Sequence, residues 1–167
     1  MPKTEEQLRG IGGWLILMAL AIVSMPSTLL MAYEKAAHLF EMPVLRAHMA
    51  ADLNWQALAF VETAGNGIAI LPSVILIFLF FFKHRWFSMA FSFFAAYLVT
   101  VHLTQSYLVY AIPTISPTFR VSILLRSIYA TVALTAWVTY VFRSRRVRLT
   151  FTRRFYFTPS FPFFSTM

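Results

Sequence analysis

The stretch TAGNGIAILPSVILIFLFFF, residues 63–82, holds twenty residues without a charge between Glu62 and Lys83. At about 1.5 Å per residue a helix of this length rises about 30 Å, which is about the thickness of the hydrocarbon core of a bilayer. Its apolar residues cover all sides of a helix and do not alternate with polar ones, as is typical of a spanning helix. The stretch therefore predicts a transmembrane helix.

Composition extends this interpretation to the whole chain. The 167 residues are 59% hydrophobic and 12% charged, whereas a soluble domain commonly has about 25% charged residues. The prediction is an all-α integral membrane four-helix bundle over residues 11–142, between an N-terminal tail, 1–10, and a C-terminal tail, 143–167. The predicted helices cover about residues 11–33, 63–82, 86–112 and 121–142.

The loop charges predict that both termini are cytoplasmic. Ten basic residues lie on the side of the termini, and four lie on the other side, at Lys35, Arg46, Arg120 and Arg126. Cytoplasmic loops hold the excess of Lys and Arg. The ten are Lys3, Arg9, Lys83, Arg85, Arg143, Arg145, Arg146, Arg148, Arg153 and Arg154.

The external loop between helices 1 and 2, from Glu34 to about Val61, is the longest connection. Leu45, Met49 and Leu53 fall on one helical stripe, which predicts a short interfacial helix on the outer leaflet. The loop also holds histidines and acidic residues, but their spacing matches no closed metal motif, so no metal site is predicted.

Polar residues on three helices share one depth. Asn66, His102 and Arg126 each lie 17 residues from the basic residue at the cytoplasmic end of their helix, a rise of about 25 Å. Because polar groups inside a membrane are costly, they are the default place to look for function. The predicted intramembrane polar layer consists of Glu62, Asn66, His102, Gln105 and Arg126.

Two interpretations of this layer stay open. It can pin the helices together, with Glu62 as the partner of Arg126 and with Asn66 and Gln105 as further hydrogen-bond partners. Alternatively it can be part of a small oligomeric transporter or channel. The apolar cytoplasmic halves of the helices, such as ILIFLFFF, count against a transport path.

Catalysis is not expected. The chain has no cysteine, and it lacks the HExxH, GxSxG and phosphate-loop patterns. The sequence therefore predicts a protein that is not an enzyme and that needs no cofactor.

The segment VFRSRRVRLTFTRR, residues 141–154, follows the last helix with six arginines. It is predicted to fix the orientation of that helix and to bind anionic lipid headgroups, at about 1 kcal/mol per basic residue. A basic patch without a recognition motif is weak support for nucleic-acid binding, so no nucleic-acid partner is expected.

Three segments resemble a known family. They are GIGGWLILMALAIVSMP at 10–26, ETAGNGIAIL at 62–71, and RSIYATVALTAWVTYVFRSRRVRLTF at 126–151. The chain is similar in them to domain of unknown function 2569, the YdgK-like four-helix proteins of the bacterial inner membrane. This resemblance implies four spanning helices in a bacterial cytoplasmic membrane, and it implies no activity.

The basic part of the last segment has a more regular order of residues than membrane orientation requires. Orientation depends on the number of Lys and Arg residues and not on their order. A cytoplasmic contact surface for a protein partner or a lipid headgroup is therefore predicted. Its residues are Arg143, Ser144, Arg145, Arg146, Arg148, Thr150 and Phe151, with Val147 in the same pattern. The favoured function is an accessory, assembly or regulatory subunit of a larger inner-membrane complex, with a membrane-protein partner or a homo-oligomer.

Overall fold

A computed structural model describes residues 13–152 as six helices joined by short connections. The helices are α1 (Trp14–Glu41), α2 (Pro43–Ala51), α3 (Leu53–Phe81), α4 (Phe87–Ala111), α5 (Pro117–Arg143) and α6 (Arg145–Thr150). No strand occurs among these residues.

Four of the helices, α1, α3, α4 and α5, are long and apolar enough to cross a membrane. Pro26 and Pro72 lie inside α1 and α3, and both helices continue past them. The all-α four-helix membrane prediction is thus confirmed.

The helices extend beyond the uncharged stretches that predicted them. α1 continues through Glu34 and Lys35 to Glu41, and α3 begins ten residues before Thr63, at Leu53. Charged residues end a run of hydropathy but do not end a helix. The helix ends are set by local backbone signals instead: Pro43 follows the end of α1, and Asp52 caps α3 by accepting a hydrogen bond of 2.8 Å from the backbone N–H of Asn54.

The predicted external loop is therefore almost entirely helical, and its short helix is α2. Leu45 and Met49 are half-buried in α2, as their shared stripe suggested. Leu53 does not belong to that stripe, because the cap at Asp52 places it in α3, where it is 77% exposed. That part of the prediction was wrong. The location of α2 at a membrane surface stays a prediction.

The turn between α3 and α4 is tight. Lys83 has a φ of 53°, in the left-handed region that ends many helices. The N–H of Lys83 donates to the carbonyl of Phe80 at 3.0 Å, and the N–H of His84 donates to the carbonyl of Leu79 at 2.9 Å. This is the Schellman pattern of backbone bonds. It lets α4 reverse direction and pack directly against α3.

The spanning helices pack mainly in chain order: α1 against α3, α3 against α4, and α4 against α5. We call the end that carries Lys83 and α6 the basic end, and the opposite end, which carries α2, the α2 end. The core at the basic end joins residues of all four spanning helices and of α6. Its fully buried large side chains are Leu15, Met18, Ile22, Leu76, Phe80, Phe87, Phe91, Val141 and Val147.

A second, smaller core lies at the α2 end. Leu58 of α3 packs with Leu108, Val109, Ile112 and Ile115, which come from α4 and from the connection to α5. This connection is held by Arg120, whose Nη2 donates to the carbonyls of Ile112 at 2.7 Å and Pro113 at 3.0 Å.

Gly65 of α3 lies close to the side chain of Val101 of α4. A Cβ atom added there would lie 3.1 Å from Cγ1 of Val101, whereas one added at Gly67 would meet the ring of Tyr33 at an ordinary 3.4 Å. Each of the two glycine-to-alanine substitutions gains the same helix propensity. The difference in stability between the two variants therefore reports the effect on packing. We expect Gly65→Ala to lower the free energy of unfolding by about 1 kcal/mol relative to Gly67→Ala, since overpacking typically costs about that much or more.

Thermal unfolding of the two variants in detergent measures this difference. Val101→Ala removes the two methyl groups that the new Cβ would meet, so it should restore the stability of Gly65→Ala. Equal stability of the two alanine variants would show that the helices shift apart at no cost.

Candidate functional site

A cluster of polar side chains joins α4 to α5 inside the predicted membrane span. His102, Gln105 and Ser106 lie on one face of α4, because residues three and four apart share a helix face. Ser127 of α5 meets them and is buried, as are Gln105 and Ser106. This cluster is the polar contact between these two helices.

Its hydrogen bonds fix the roles of the two serines. Oγ of Ser127 donates to the backbone carbonyl of His102 at 3.2 Å, and the Oγ atoms of Ser106 and Ser127 are 2.7 Å apart. Since the Ser127 proton is used toward His102, Ser106 is the donor in the second bond. Both hydroxyls are thus committed to structure.

The side chain of His102 pairs along its own helix. Its Nδ1 lies 3.2 Å from Oε1 of Gln105, a contact that requires the tautomer with the proton on Nδ1. Gln105 was predicted as a partner of Arg126, but it bonds His102 instead. The i, i+3 spacing makes His102 the nearer partner.

Asn66 also bonds within its own helix. Its Nδ2 donates to the backbone carbonyl of Glu62 at 2.6 Å. The predicted cross-helix role of Asn66 is therefore filled by a local bond, as is common for short polar side chains in helices.

Glu62 and Arg126 do not touch. No Arg126 nitrogen comes within 4.0 Å of the Glu62 carboxylate in the described structure, although Arg126 acts electrostatically on both Glu62 and His102. Glu62 is half-buried, whereas Arg126 is exposed at the surface of α5 and makes no hydrogen bond to a described residue. Arg126 therefore lies at the edge of the polar cluster, and the N–H groups of its guanidinium make no hydrogen bond to the described residues.

One further cross-helix bond joins α3 to α4. The hydroxyl of Tyr97 donates to the backbone carbonyl of Gly65 at 2.8 Å, beside the close approach to Val101. Sequence analysis missed Tyr97, Ser106 and Ser127, because hydroxyl groups on apolar helices are common and mostly bond to their own backbone. The one signal for Ser106 was its position four residues after His102, on the same helix face.

The chemistry available to this arrangement is limited. The serine hydroxyls are engaged with each other and with a carbonyl, and His102 is engaged with Gln105, so the described cluster presents no nucleophile paired with a base. Within residues 13–152, no three His, Asp or Glu side chains come together as metal ligands do. The geometry favours an interhelical contact with one outward-facing cation.

The basic segment forms α6, which folds back onto the basic end. Ser144 caps it by accepting a hydrogen bond of 3.4 Å from the N–H of Val147. Val147 and Thr150 are buried. Phe151 is 6% exposed, and its ring centroid lies 4.5 Å from that of Phe87 and 5.4 Å from that of Phe80. The regular spacing in this segment therefore reflects packing within the chain.

This result divides the predicted contact surface in two. Ser144, Thr150 and Phe151 serve the structure of the basic end, and Thr150 and Phe151 are too buried to meet a partner. Arg143, Arg145 and Arg148 are exposed and Arg146 is half-buried. A contact surface at this end therefore consists of arginines. Arg153, Arg154 and the aromatic tail that follows lie outside the described residues.

Comparisons with known proteins add a family. A family model described as "Protein of unknown function (DUF2569)" matches residues 8–152, a range that contains all six helices. No curated protein and no solved structure matches the chain. The narrower likeness to YdgK-like proteins stays a prediction.

Proposed function

The chain belongs to the DUF2569 family, whose function is unknown, and from that premise we propose that it is a non-catalytic accessory, assembly or regulatory subunit of a larger complex. The proposed location is the bacterial cytoplasmic membrane, with both termini inside, in accord with the ten basic residues on that side. The partner is another membrane protein, which contacts α5 near Arg126.

The observation that carries this proposal is the exposure of Arg126 on a spanning helix. Arg126 lies 17 residues before Arg143, about 25 Å along the helix axis from the basic end, and thus in the outer part of a core about 30 Å thick. A guanidinium that faces hydrocarbon alone costs free energy at this depth, although less than at the bilayer centre. An acceptor on a neighbouring protein, such as a carboxylate or a carbonyl, would offset that cost through hydrogen bonds.

The surroundings of Arg126 support the same proposal. α5 is the least buried of the four candidate spans, and among the spanning helices it packs mainly on α4. Tyr129, one turn from Arg126, is 72% exposed. Tyrosine and arginine are both enriched in protein interfaces. This part of α5 therefore has the composition of a contact surface.

The alternative is a small oligomeric transporter or channel that uses the polar cluster. A transport path needs polar groups through the whole span, but the core at the basic end is built from buried Phe, Leu, Met and Val side chains. Phe80, Phe87 and Phe151 pack together at that end. Transport through this bundle would require that aromatic contact to open.

Site-specific cross-linking in the native membrane tests the proposal. A photoreactive phenylalanine analogue replaces Tyr129, and in a matched control it replaces Met31, which is 69% exposed on α1. We expect a stoichiometric cross-link from position 129 to one other membrane protein, identified by mass spectrometry, and a much weaker one from position 31. Arg126→Gln should reduce the cross-link from position 129, whereas Arg126→Lys should retain part of it.

Two results would overturn the accessory role. If position 129 cross-links only to lipid, Arg126 instead extends toward the membrane surface. If it cross-links to a second copy of the chain, and Glu62→Gln or Arg126→Gln changes solute flux in vesicles, the transporter alternative replaces the accessory role.

A further inference from the structure

An open groove runs along the half of α5 that is nearer the basic end. It is shallow and largely open, and its lining residues all come from α5. Thr131, Thr135 and Thr139 form one wall, and Arg143 lies at the end of the groove. Arg126 lies in the other half of the helix, five residues before Thr131, about 8 Å along the helix axis.

The groove wall is apolar despite its threonines. Oγ1 of Thr135 donates to the carbonyl of Thr131, and Oγ1 of Thr139 donates to the carbonyl of Thr135, each at 2.8 Å. These two hydroxyls are thus satisfied by the helix itself, whereas Oγ1 of Thr131 is buried and has no hydrogen-bond partner among the described residues. Ala136, whose side chain is a single methyl group, also lines the groove. A hydrocarbon chain can lie in such a groove without displacing a polar contact.

The length of the groove matches one leaflet of a bilayer. Thr131 and Arg143 are 12 residues apart, a rise of about 18 Å, and half of the hydrocarbon core is about 15 Å. The groove therefore runs from near the midplane to the membrane surface, as one acyl chain does. Its surface end carries the exposed guanidinium of Arg143 and the ring of Tyr140, a residue type enriched at that depth.

We propose that this groove binds one anionic phospholipid, with an acyl chain along Thr131–Thr139 and the headgroup phosphate at Arg143. The guanidinium suits a phosphate because its N–H groups form a fork that can bond two oxygens. The exposed Arg148 of α6 raises the local positive potential, which favours a lipid with net negative charge over a zwitterionic one. This site is independent of the partner proposed at Arg126.

Charge complementarity distinguishes this occupant from a transmembrane helix. Small residues also let helices approach closely, but a packed helix needs no cation at the end of the contact. A lipid has its charge one acyl-chain length from the midplane, where Arg143 lies. The match of length and charge together selects the lipid.

Native mass spectrometry of the full chain tests the site. The protein, delipidated in a neutral detergent, is titrated with phosphatidylglycerol or with phosphatidylcholine of the same acyl chains. We expect one phosphatidylglycerol to bind with a Kd about tenfold below that of phosphatidylcholine. Arg143→Gln should raise the Kd for phosphatidylglycerol about fivefold, the effect expected for loss of one basic residue, and Arg143→Lys should raise it less.

Two matched variants locate the site. Ala136→Phe fills the groove and should abolish the tight binding, whereas Leu20→Phe, at an exposed position of α1, should not change it. Arg148→Gln removes the same charge outside the groove and should have a smaller effect than Arg143→Gln. A photoreactive acyl chain should label the peptide that contains Thr131 and Thr135.

Three outcomes would overturn the proposal. Equal effects of Arg143→Gln and Arg148→Gln would mean that lipids respond only to the overall positive charge. Unchanged phosphatidylglycerol binding in Ala136→Phe would mean that the groove is empty of lipid. Loss of a protein–protein complex in Ala136→Phe, with lipid binding intact, would assign the groove to a helix.

Discussion

Phe151→Ala should destabilise the protein by about 3–5 kcal/mol, the usual cost of removing a buried phenylalanine ring. Phe151 follows α6, beyond the membrane-spanning part of α5, so its burial against Phe80 and Phe87 removes its ring from water. The hydrophobic effect therefore contributes in full to the burial of this ring. A side chain that moves from lipid to the protein interior gains no such contribution. Thermal unfolding in detergent measures the loss.

Phe142→Ala is the matched control, since Phe142 is close in sequence and 56% exposed. The chain has no cysteine, which permits a second measurement by single-cysteine labelling. Val147→Cys, at a buried position, should react slowly with a maleimide in the parent and rapidly when combined with Phe151→Ala. Equal labelling in both backgrounds would mean that α6 stays docked without the ring.

Arg120→Met should cost about 2–4 kcal/mol. Arg120 makes two hydrogen bonds from a charged group, each worth about 1.5–3 kcal/mol, and part of this gain is offset because its buried Nε has no hydrogen-bond partner among the described residues. The carbonyl of Ile112, a fully buried residue, would lose its charged donor. The bonds hold the connection between α4 and α5 against the core at the α2 end. The same unfolding measurement in detergent detects this loss.

Arg46→Met removes the same charge from an exposed position of α2 at the same end and should cost little. Arg120→Lys keeps the charge but not the fork of N–H groups, so its stability should lie between those of the parent and Arg120→Met. If Arg120→Met is as stable as Arg46→Met, the guanidinium is not what holds this connection.

Sequence could predict the number and order of the spanning helices, because the lack of charge over about 20 residues is a direct consequence of the bilayer. It could not predict where α1 ends or where α3 begins. Outside the membrane a helix continues until a proline or a cap interrupts it, and Pro43 and Asp52 are signals of a different kind. The resemblance to DUF2569 is confirmed over residues 8–152.

The polar layer shows where side-chain reasoning from sequence is weakest. Depth along each helix placed Asn66, His102 and Arg126 together, but depth does not tell which way a side chain faces. Asn66 and His102 found partners on their own helices, and Arg126 faces out. At the basic end a regular pattern predicted an external contact, and three of its residues, Val147, Thr150 and Phe151, are buried within the chain instead.

The packing of the spanning helices in chain order bears on how the protein is made. Each spanning helix after α1 packs against a spanning helix that is already synthesised, so no long segment has to wait for a distant partner. Phe151 comes last among the described core residues. In a nascent chain the faces of Phe80 and Phe87 that Phe151 covers therefore stay uncovered until translation has passed residue 151.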